Sequence, residues 1–274
     1  MTHEERERLT VLSLEEKISH SKNVIKKAIE RFGRDRLVVA WTGGKDSTTM
    51  LWLYREVSNE LSIELPRCIF IDEGDIFDEI MEHVERVKNE WAIDVIILRN
   101  EDVLRQVKRL GDIVKVKELN DRNRQELKFI HFDEQEFPFE PESYVGNHLM
   151  KTVPLKMFIE EDEIKAVSTA IRWDEQEARK EEDYFSPRHN PEHIRVQPML
   201  HFRERDIWDT IHRYNIPYCK LYELGYRSLG ARSTTYKSSD IPAWKQDLEN
   251  TRERDGRGQD KEQIMSKLRD LGYM

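Results

Sequence analysis

The chain has 274 residues, enough for one large domain or two small ones with a core that needs no disulfide or metal. Charged residues make up 36% and hydrophobic ones 38%, and 45 Lys plus Arg against 54 Asp plus Glu leave a net charge of −9, so nonspecific binding to nucleic acid is not expected. Two cysteines, Cys68 and Cys219, exclude a four-thiolate iron–sulfur cluster, a cysteine-rich zinc site and a disulfide framework within the chain.

Met1 to Arg8 is charged, and no run approaches about 18 apolar residues, which predicts neither a secretory leader nor a membrane span and places the protein in the cytoplasm. Leu14 to Phe32 sets Ile18, Val24, Ile25, Ala28 and Ile29 at helical spacing, and Gly33 stops the helix. Leu37-Val38-Val39-Ala40-Trp41 reads as a strand covered on both faces. A helix over Ser47 to Val57 follows, then a strand at Cys68-Ile69-Phe70-Ile71 ending in Asp72-Glu73-Gly74. A helical pattern through Ile80, Val84 and Val87 leads to a third strand, Val95-Ile96-Ile97-Leu98. Strand and helix alternate, which predicts a parallel α/β sheet. Arg99 to Pro141 reads as a helical or irregular insertion near the site, Leu149 to Ile159 as a helix, and Ile164 to Thr169 as a strand. A helix within Pro198 to Tyr214 ends at Asn215-Ile216-Pro217, and Ile264, Met265, Leu268 and Leu271 mark a terminal helix.

The segment Thr42-Gly43-Gly44-Lys45-Asp46-Ser47 joins the first buried strand to a helix. Paired glycines let backbone amides converge, the helix N-terminus adds free N–H groups, and Lys45 and Ser47 add a charge and a hydroxyl, which together suit a pyrophosphate group. It is not a Walker loop, because Asp46 interrupts the Gly-Lys-Ser/Thr order. Its position after a parallel strand is where ligands of open α/β sheets bind.

Thr42-Gly43-Gly44-Lys45-Asp46-Ser47 resembles the SGGXDS signature of the pyrophosphatase-loop (PP-loop) enzymes, with Thr42 in place of the first serine. The stretch Thr169 to Arg179 is similar to the arginine segment of the small subunit (subunit 2) of sulfate adenylyltransferase. Val196-Gln197-Pro198-Met199 with Glu204, Asp206-Ile207-Trp208, Ile211, Asn215-Ile216-Pro217 and Leu221-Tyr222 resembles a run shared by that subunit and the phosphoadenosine phosphosulfate (PAPS) reductases. Thr251 to Arg257, with Gly272-Tyr273-Met274, resembles the subunit's arginine-rich tail. The resemblance implies an α/β fold of the adenine-nucleotide α-hydrolase-like (HUP) type. That fold is a parallel twisted sheet flanked by helices, here with an irregular or helical C-terminal extension. Residues 1–235 would form the nucleotide-binding domain and 236–274 the arginine-rich tail.

It further implies ATP cleavage between the α- and β-phosphates with transfer of AMP to sulfate or a related anion. Mg²⁺ accompanies ATP, no iron–sulfur cluster is involved, and the partners implied are the nucleotide, the anion, a GTPase subunit and further copies of the chain. Thr42, Gly43, Gly44, Lys45 and Ser47 would bind the nucleotide phosphates. Asp46 either orients the loop and meets Mg²⁺ or is an ordinary first-turn carboxylate. Asp72 either reaches the ribose or a metal or caps the next helix. Lys45, Asp46 and Arg172 form the expected catalytic set. Arg172 and Arg179 bind phosphate or sulfate, or else pair at the surface with Asp174, Glu175, Glu177, Glu181 and Glu182. Arg252, Arg254 and Arg257 close over the nucleotide or belong to a mobile charged tail.

Gly225-Tyr226-Arg227-Ser228-Leu229-Gly230 resembles the reductase motif instead, and Trp173 and Ala178 replace an arginine and a serine of the transferase segment. Reductases of this superfamily attack with a thiolate from a C-terminal cysteine, and none follows Cys219 here, so reduction is not expected. Cys68 and Cys219 read as core thiols. The remaining alternatives are FMN adenylylation of the FAD-synthetase kind and a sulfonucleotide-binding protein without turnover; RNA thiolation would need a basic RNA-binding module, which the net charge of −9 does not supply.

Overall fold

Short, β-branched runs make the strands, and their alternation decides what each face buries. The computed structural model describes residues 1–257, apart from the side chain of Ala178; the expected terminal helix and Gly272-Tyr273-Met274 lie outside them. Helices α1 (His3–Thr10) and α2 (Leu14–Phe32) come first, α2 opening on a Ser13–Glu16 capping box and ending at Gly33 with φ +70°. Then come β1 (Leu37–Ala40), α3 (Lys45–Leu61), β2 (Cys68–Asp72), α4 (Asp78–Glu90) and β3 (Val95–Arg99). The expected alternation is present, but α3 starts two residues early, so Lys45 is already helical.

The insertion has a core of its own. It contains α5 (Glu101–Leu104), β4 (Ile113–Lys115), α6 (Asp121–Phe129) and β5 (Glu136–Pro138), with β4 and β5 paired antiparallel. Val103, Val114, Leu127, Phe137 and Phe139 pack there against Leu149, Met150 and Val153. The helix expected over Leu149 to Ile159 begins earlier, as α7 (Tyr144–Asn147), continues through a π-helical stretch (His148–Thr152) and ends as α8 (Val153–Glu161). Pro154 falls in the first turn of α8, just past the π-helical stretch, where its missing N–H is tolerated.

After β6 (Ala166–Ser168) comes a hairpin that the sequence reading passed over, β7 (Phe185–His189) and β8 (Glu192–Val196), followed by α9 (Glu204–Arg213). The six-stranded sheet runs β3-β2-β1-β6-β8-β7, parallel except for the edge strand β7. Leu37, Val39 and Trp41 enter the larger core with α2, α3, α4 and α9, whereas Val38, Ile69 and Val167 face Phe158 and Ile159 of α8. The chain beyond residue 235 packs on the larger core through Ala243, Trp244 and Leu248. Among the described residues no helix is long and apolar enough to cross a membrane. The strand order reverses direction between β1 and β6, so the segments leaving these two strands diverge at a switch point.

Burial holds three histidines neutral. It lowers His83 and His193 to about 4 and His201 to about 3. His201 lies between the Lys17 carbonyl, 3.0 Å from Nε2, and the Tyr184 hydroxyl, 2.9 Å from Nδ1. All three folded values lie below the unfolded one, so unfolding takes up protons once the pH falls under about 6.5. Urea unfolding at pH 7 and pH 5 is expected to show the protein weaker at pH 5, each histidine contributing up to about 1.4 kcal/mol per pH unit below 6.5. Equal stability at the two pH values would show that these side chains carry their protons in the fold.

Candidate functional site

The turn after β1 is held by its own side chains. Thr42 N–H donates to Ser47 Oγ at 3.2 Å, the two hydroxyls lie 3.0 Å apart, and the indole N–H of Trp41 donates to Thr48 Oγ1 at 3.0 Å. Gly43 takes φ +71°, and a Cβ there would lie 3.0 Å from Ile80 Cγ2 and 3.2 Å from Val84 Cγ2. Gly44, the N-cap of α3, has φ −75° and would place a Cβ in ordinary contact with Thr42 and Tyr222. Only Gly43 is thus required by the backbone conformation. The amide of Lys45 is already used, donating to the Tyr222 hydroxyl at 2.8 Å.

Lys45 is only 1% exposed and sits in the first turn of α3, where the helix dipole opposes a cation. Carboxylates compensate it. Its Nζ lies 3.2 Å from Asp46 Oδ2 and 3.8 Å from Glu204 Oε1, and is bonded to Glu253. Arg172, fully buried after β6, donates through Nε to Asp174 Oδ1 at 2.9 Å and through its terminal nitrogens to Asp46 and Glu253. One carboxylate, that of Glu253, therefore bridges both cations. Burial works against ionisation of Glu253, but Arg172 and Lys45 outweigh it and hold its carboxyl well below the usual range. Burial and the negative field of Glu253 push Glu204 upward, partly offset by Lys45 and Arg227.

Arg227 brings the tail into place. Its Nε and Nη2 donate to Glu204 at 2.7–3.1 Å, and Nη2 also donates to the carbonyls of Leu248 and Thr251 at 3.2 and 3.1 Å. Glu204 N–H in turn donates to Asp174 Oδ2 at 3.0 Å, which ties the start of α9 to the Arg172 segment.

A cavity of about 380 Å³, within the size range of ligand pockets, opens over the loop. Thr42, Gly44, Lys45, Asp46, Ser47 and Arg179 line it, joined by Arg195, Lys151 and Arg254. Its walls thus carry five cations against three carboxylates (Asp46, Glu175 and Glu253), on a protein of net charge −9. A second cavity, of about 840 Å³, lies on the other side of Glu175, Glu253 and Arg254, which line both. It is the larger, but the loop does not line it.

The structure brings the expected residues together unevenly. Arg172 and Arg179 pair with Asp174 and Glu175 as the alternative reading had it, but Arg172 is fully buried and Arg179 partly so. Burial and the nearby Arg254 and Arg172 lower Arg179 to about 9. Arg254 pairs with Glu175 at 3.0 Å, whereas Arg252 and Arg257 line the larger cavity. Asp72 stands apart from the loop cavity. It accepts from Gly74 N–H at 2.9 Å and pairs with Arg99 at 3.0 Å, because its neighbour in register on β3 is that arginine. Both oxygens of Asp46 face cations, and among the described residues no three His, Cys, Asp or Glu converge on one point. This donor set fits a carboxylate that holds Lys45 and Arg172, not a resident Mg²⁺.

Trp173 turns away from the site, its indole N–H donating to the Glu182 carbonyl at 2.9 Å. Burial pushes the Cys68 thiol up to about 12 and that of Cys219 to about 11. Sequence reasoning missed Glu253, Arg227, Tyr222, Lys151 and Arg195 as site residues. Glu253 stood inside a tail singled out for its arginines, and Glu204 inside the run shared with the reductases.

Residues 36–237 match the phosphoadenosine phosphosulfate reductase domain. An uncharacterized protein of Methanocaldococcus jannaschii is 24% identical over 198 residues, 71% of this chain and 35% of that protein, so the chain spans about a third of that relative. An adenosine 5'-phosphosulfate reductase of Bacillus cytotoxicus is 23% identical over 220 residues, 77% of this chain and 80% of that one. Among solved structures, the FMN adenylyltransferase of Candida glabrata in complex with ATP has the same fold, with a TM-score of 0.60 at 18% identity over 98% of this chain and 89% of that one.

The two glycines differ in what the fold asks of them. Gly43→Ala is expected to cost about 2 kcal/mol in urea unfolding, from the left-handed φ and the contact with Ile80. Gly44→Ala should cost only about 0.5 kcal/mol as a poorer N-cap. Equal losses would mean that the turn is not built as described.

Proposed function

This chain belongs to the phosphoadenosine phosphosulfate reductase domain family, and on that premise we propose that it binds ATP over the β1–α3 turn and transfers AMP to an oxyanion-bearing acceptor. The observation that supports this reading best is the pair Lys45 and Arg172, two buried cations at the switch point that share one carboxylate. A triphosphate tail offers the same partners as that carboxylate. Acceptor oxygen attacks the α-phosphorus, the new oxygen–phosphorus bond forms as the bond to the β-phosphate oxygen breaks, and pyrophosphate leaves. Lys45 and Arg172 neutralise the charge that builds on the leaving group, and Ser47 and the Gly43 and Gly44 amides position it. The acceptor oxygen is already ionised, so the chain need supply neither a nucleophile nor a general base.

Reduction is the less favoured chemistry because both thiols of this sequence are buried and held protonated. Sulfate is the first acceptor to consider, on the likeness of the Arg172 and tail segments to the small adenylyltransferase subunit, which would bring a GTPase partner. FMN is the second, on the shared fold of the adenylyltransferase described above. Pyrophosphate exchange into ATP, assayed with sulfate and with FMN, separates the two. Exchange with neither would leave a nucleotide-binding protein without this activity.

Glu253 occupies the phosphate partners, so ATP must displace it. Lys45→Ala is expected to weaken ATP binding about 30-fold, the worth of one charge-assisted bond, while adenosine binding stays unchanged. In the parent, equal affinity for ATP and adenosine would remove the loop from the proposal. Glu253→Gln should tighten ATP binding about tenfold and lower the melting temperature of the free protein, because it leaves two buried cations under-compensated. A Glu253→Gln protein that binds ATP more weakly would show that Glu253 assists the nucleotide instead.

A further inference from the structure

Among the described residues, every cation around the loop has a carboxylate within ion-pair distance except one that the function above leaves unused. Arg195, on β8, is 8% exposed, lines the loop cavity, and has a buried Nε without a hydrogen-bond partner. Among the described residues no carboxylate lies within ion-pair distance of it. The carboxylate whose field reaches it, Glu182, is engaged elsewhere, accepting from Arg188 Nη2 at 3.1 and 3.2 Å and from Gln197 Nε2 at 2.9 Å. Arg188 itself adds a like charge, and burial together with that charge lowers Arg195 to about 10, which still leaves it ionised at neutral pH.

The strand explains why the side chain faces the cavity. Ile194 and Val196 of β8 join the larger core, so Arg195 and, two residues on, Gln197 emerge on the opposite face. Both line the loop cavity. Their strand is separated from β1 by β6, and two strand spacings put its backbone about 10 Å across the sheet from the strand that carries the phosphate turn. A buried guanidinium without a counter-charge is a poor stabilising element and a good anion receptor, presenting a planar fork to two oxygens at once.

We propose that Arg195 is the seat for the tetrahedral oxyanion of the second substrate, a sulfate or a phosphate monoester, separate from the seat of the ATP triphosphate. This rests on the adenylyl-transfer reading only for the word substrate, since the anion site itself follows from the cavity and the unpaired guanidinium. The acceptor would approach from the β8 side of the switch point and the nucleotide from the β1 side, with the reacting oxygen and the α-phosphorus meeting between them.

The test uses the full chain with Arg195→Gln and Arg195→Lys, titrated with inorganic sulfate, inorganic phosphate and FMN in the presence and absence of AMPCPP, a non-hydrolysable ATP analogue. Arg195→Gln is expected to weaken binding of the favoured anion at least 30-fold, to change AMPCPP affinity less than twofold, and to raise the melting temperature of the free protein by about 2–4 °C. Arg195→Lys should recover part of the anion affinity. Preference for sulfate or for FMN tells a small inorganic acceptor from a phosphate monoester. Unchanged anion affinity with a lowered melting temperature would make Arg195 a structural cation, and an equal loss of AMPCPP affinity would assign it to the triphosphate; either overturns the proposal, as does a parent protein that binds none of the three anions. Arg195-dependent anion binding in a parent that ignores AMPCPP would uphold the subsite while sinking the adenylyl-transfer reading.

Discussion

The carboxylate of Glu253 lies between Lys45 and Arg172, and without it two ionised side chains would be buried beside a helix N-terminus whose dipole opposes them. Those two cations stand on the segments that leave β1 and β6 at the switch point, so the charge contact also fixes the distance between those segments. Asp46 and Asp174 complete the set from inside each segment, and Arg227 with Glu204 fastens the tail that delivers Glu253. The corner is therefore an electrostatic assembly built on an apolar sheet: the sheet sets positions, and ion pairs decide which of those positions can be dry.

The same arrangement explains why the site is acidic and basic at once. A triphosphate is strongly anionic, and a pocket lined only by cations would repel itself in the absence of ligand. Internal carboxylates hold the cations in place, and a ligand that offers more oxygens can take over their partners. Two costly features of the chain meet here: a lysine at the wrong end of a helix dipole, and a buried arginine with no carboxylate within ion-pair distance among the described residues.

The parallel sheet was legible because its strands are local apolar runs, and the turn after β1 because its glycines, lysine and serine are contiguous. The β7–β8 hairpin was not: Pro187, Arg188, Glu192 and Arg195 break the apolar pattern in strands that are covered on one side by charged contacts. Arg172 and Arg179 were found by likeness to a known segment, yet the burial of Arg172 was not, because its pairing with Glu253 joins residues 81 apart and needs the folded tail. Tyr222 stands at the end of the run shared with the reductases, but nothing in that run marked it as the acceptor of the Lys45 amide, 177 residues away. Asp72 looked well placed at a strand end, but the residue opposite it in register is Arg99, and a pairing across strands cannot be read along one of them.

Lys45 and Glu253 lie 208 residues apart, and that separation has a consequence for synthesis. A chain growing from its N-terminus can form β1, β2 and β3 long before the segment around residue 253 has been made. Until then the lysine and its arginine neighbour have no internal counter-charge from that segment, and hydration must supply the missing compensation. The first strand of the sheet is thus among the earliest parts to be translated, while the corner above it is among the last to be able to close.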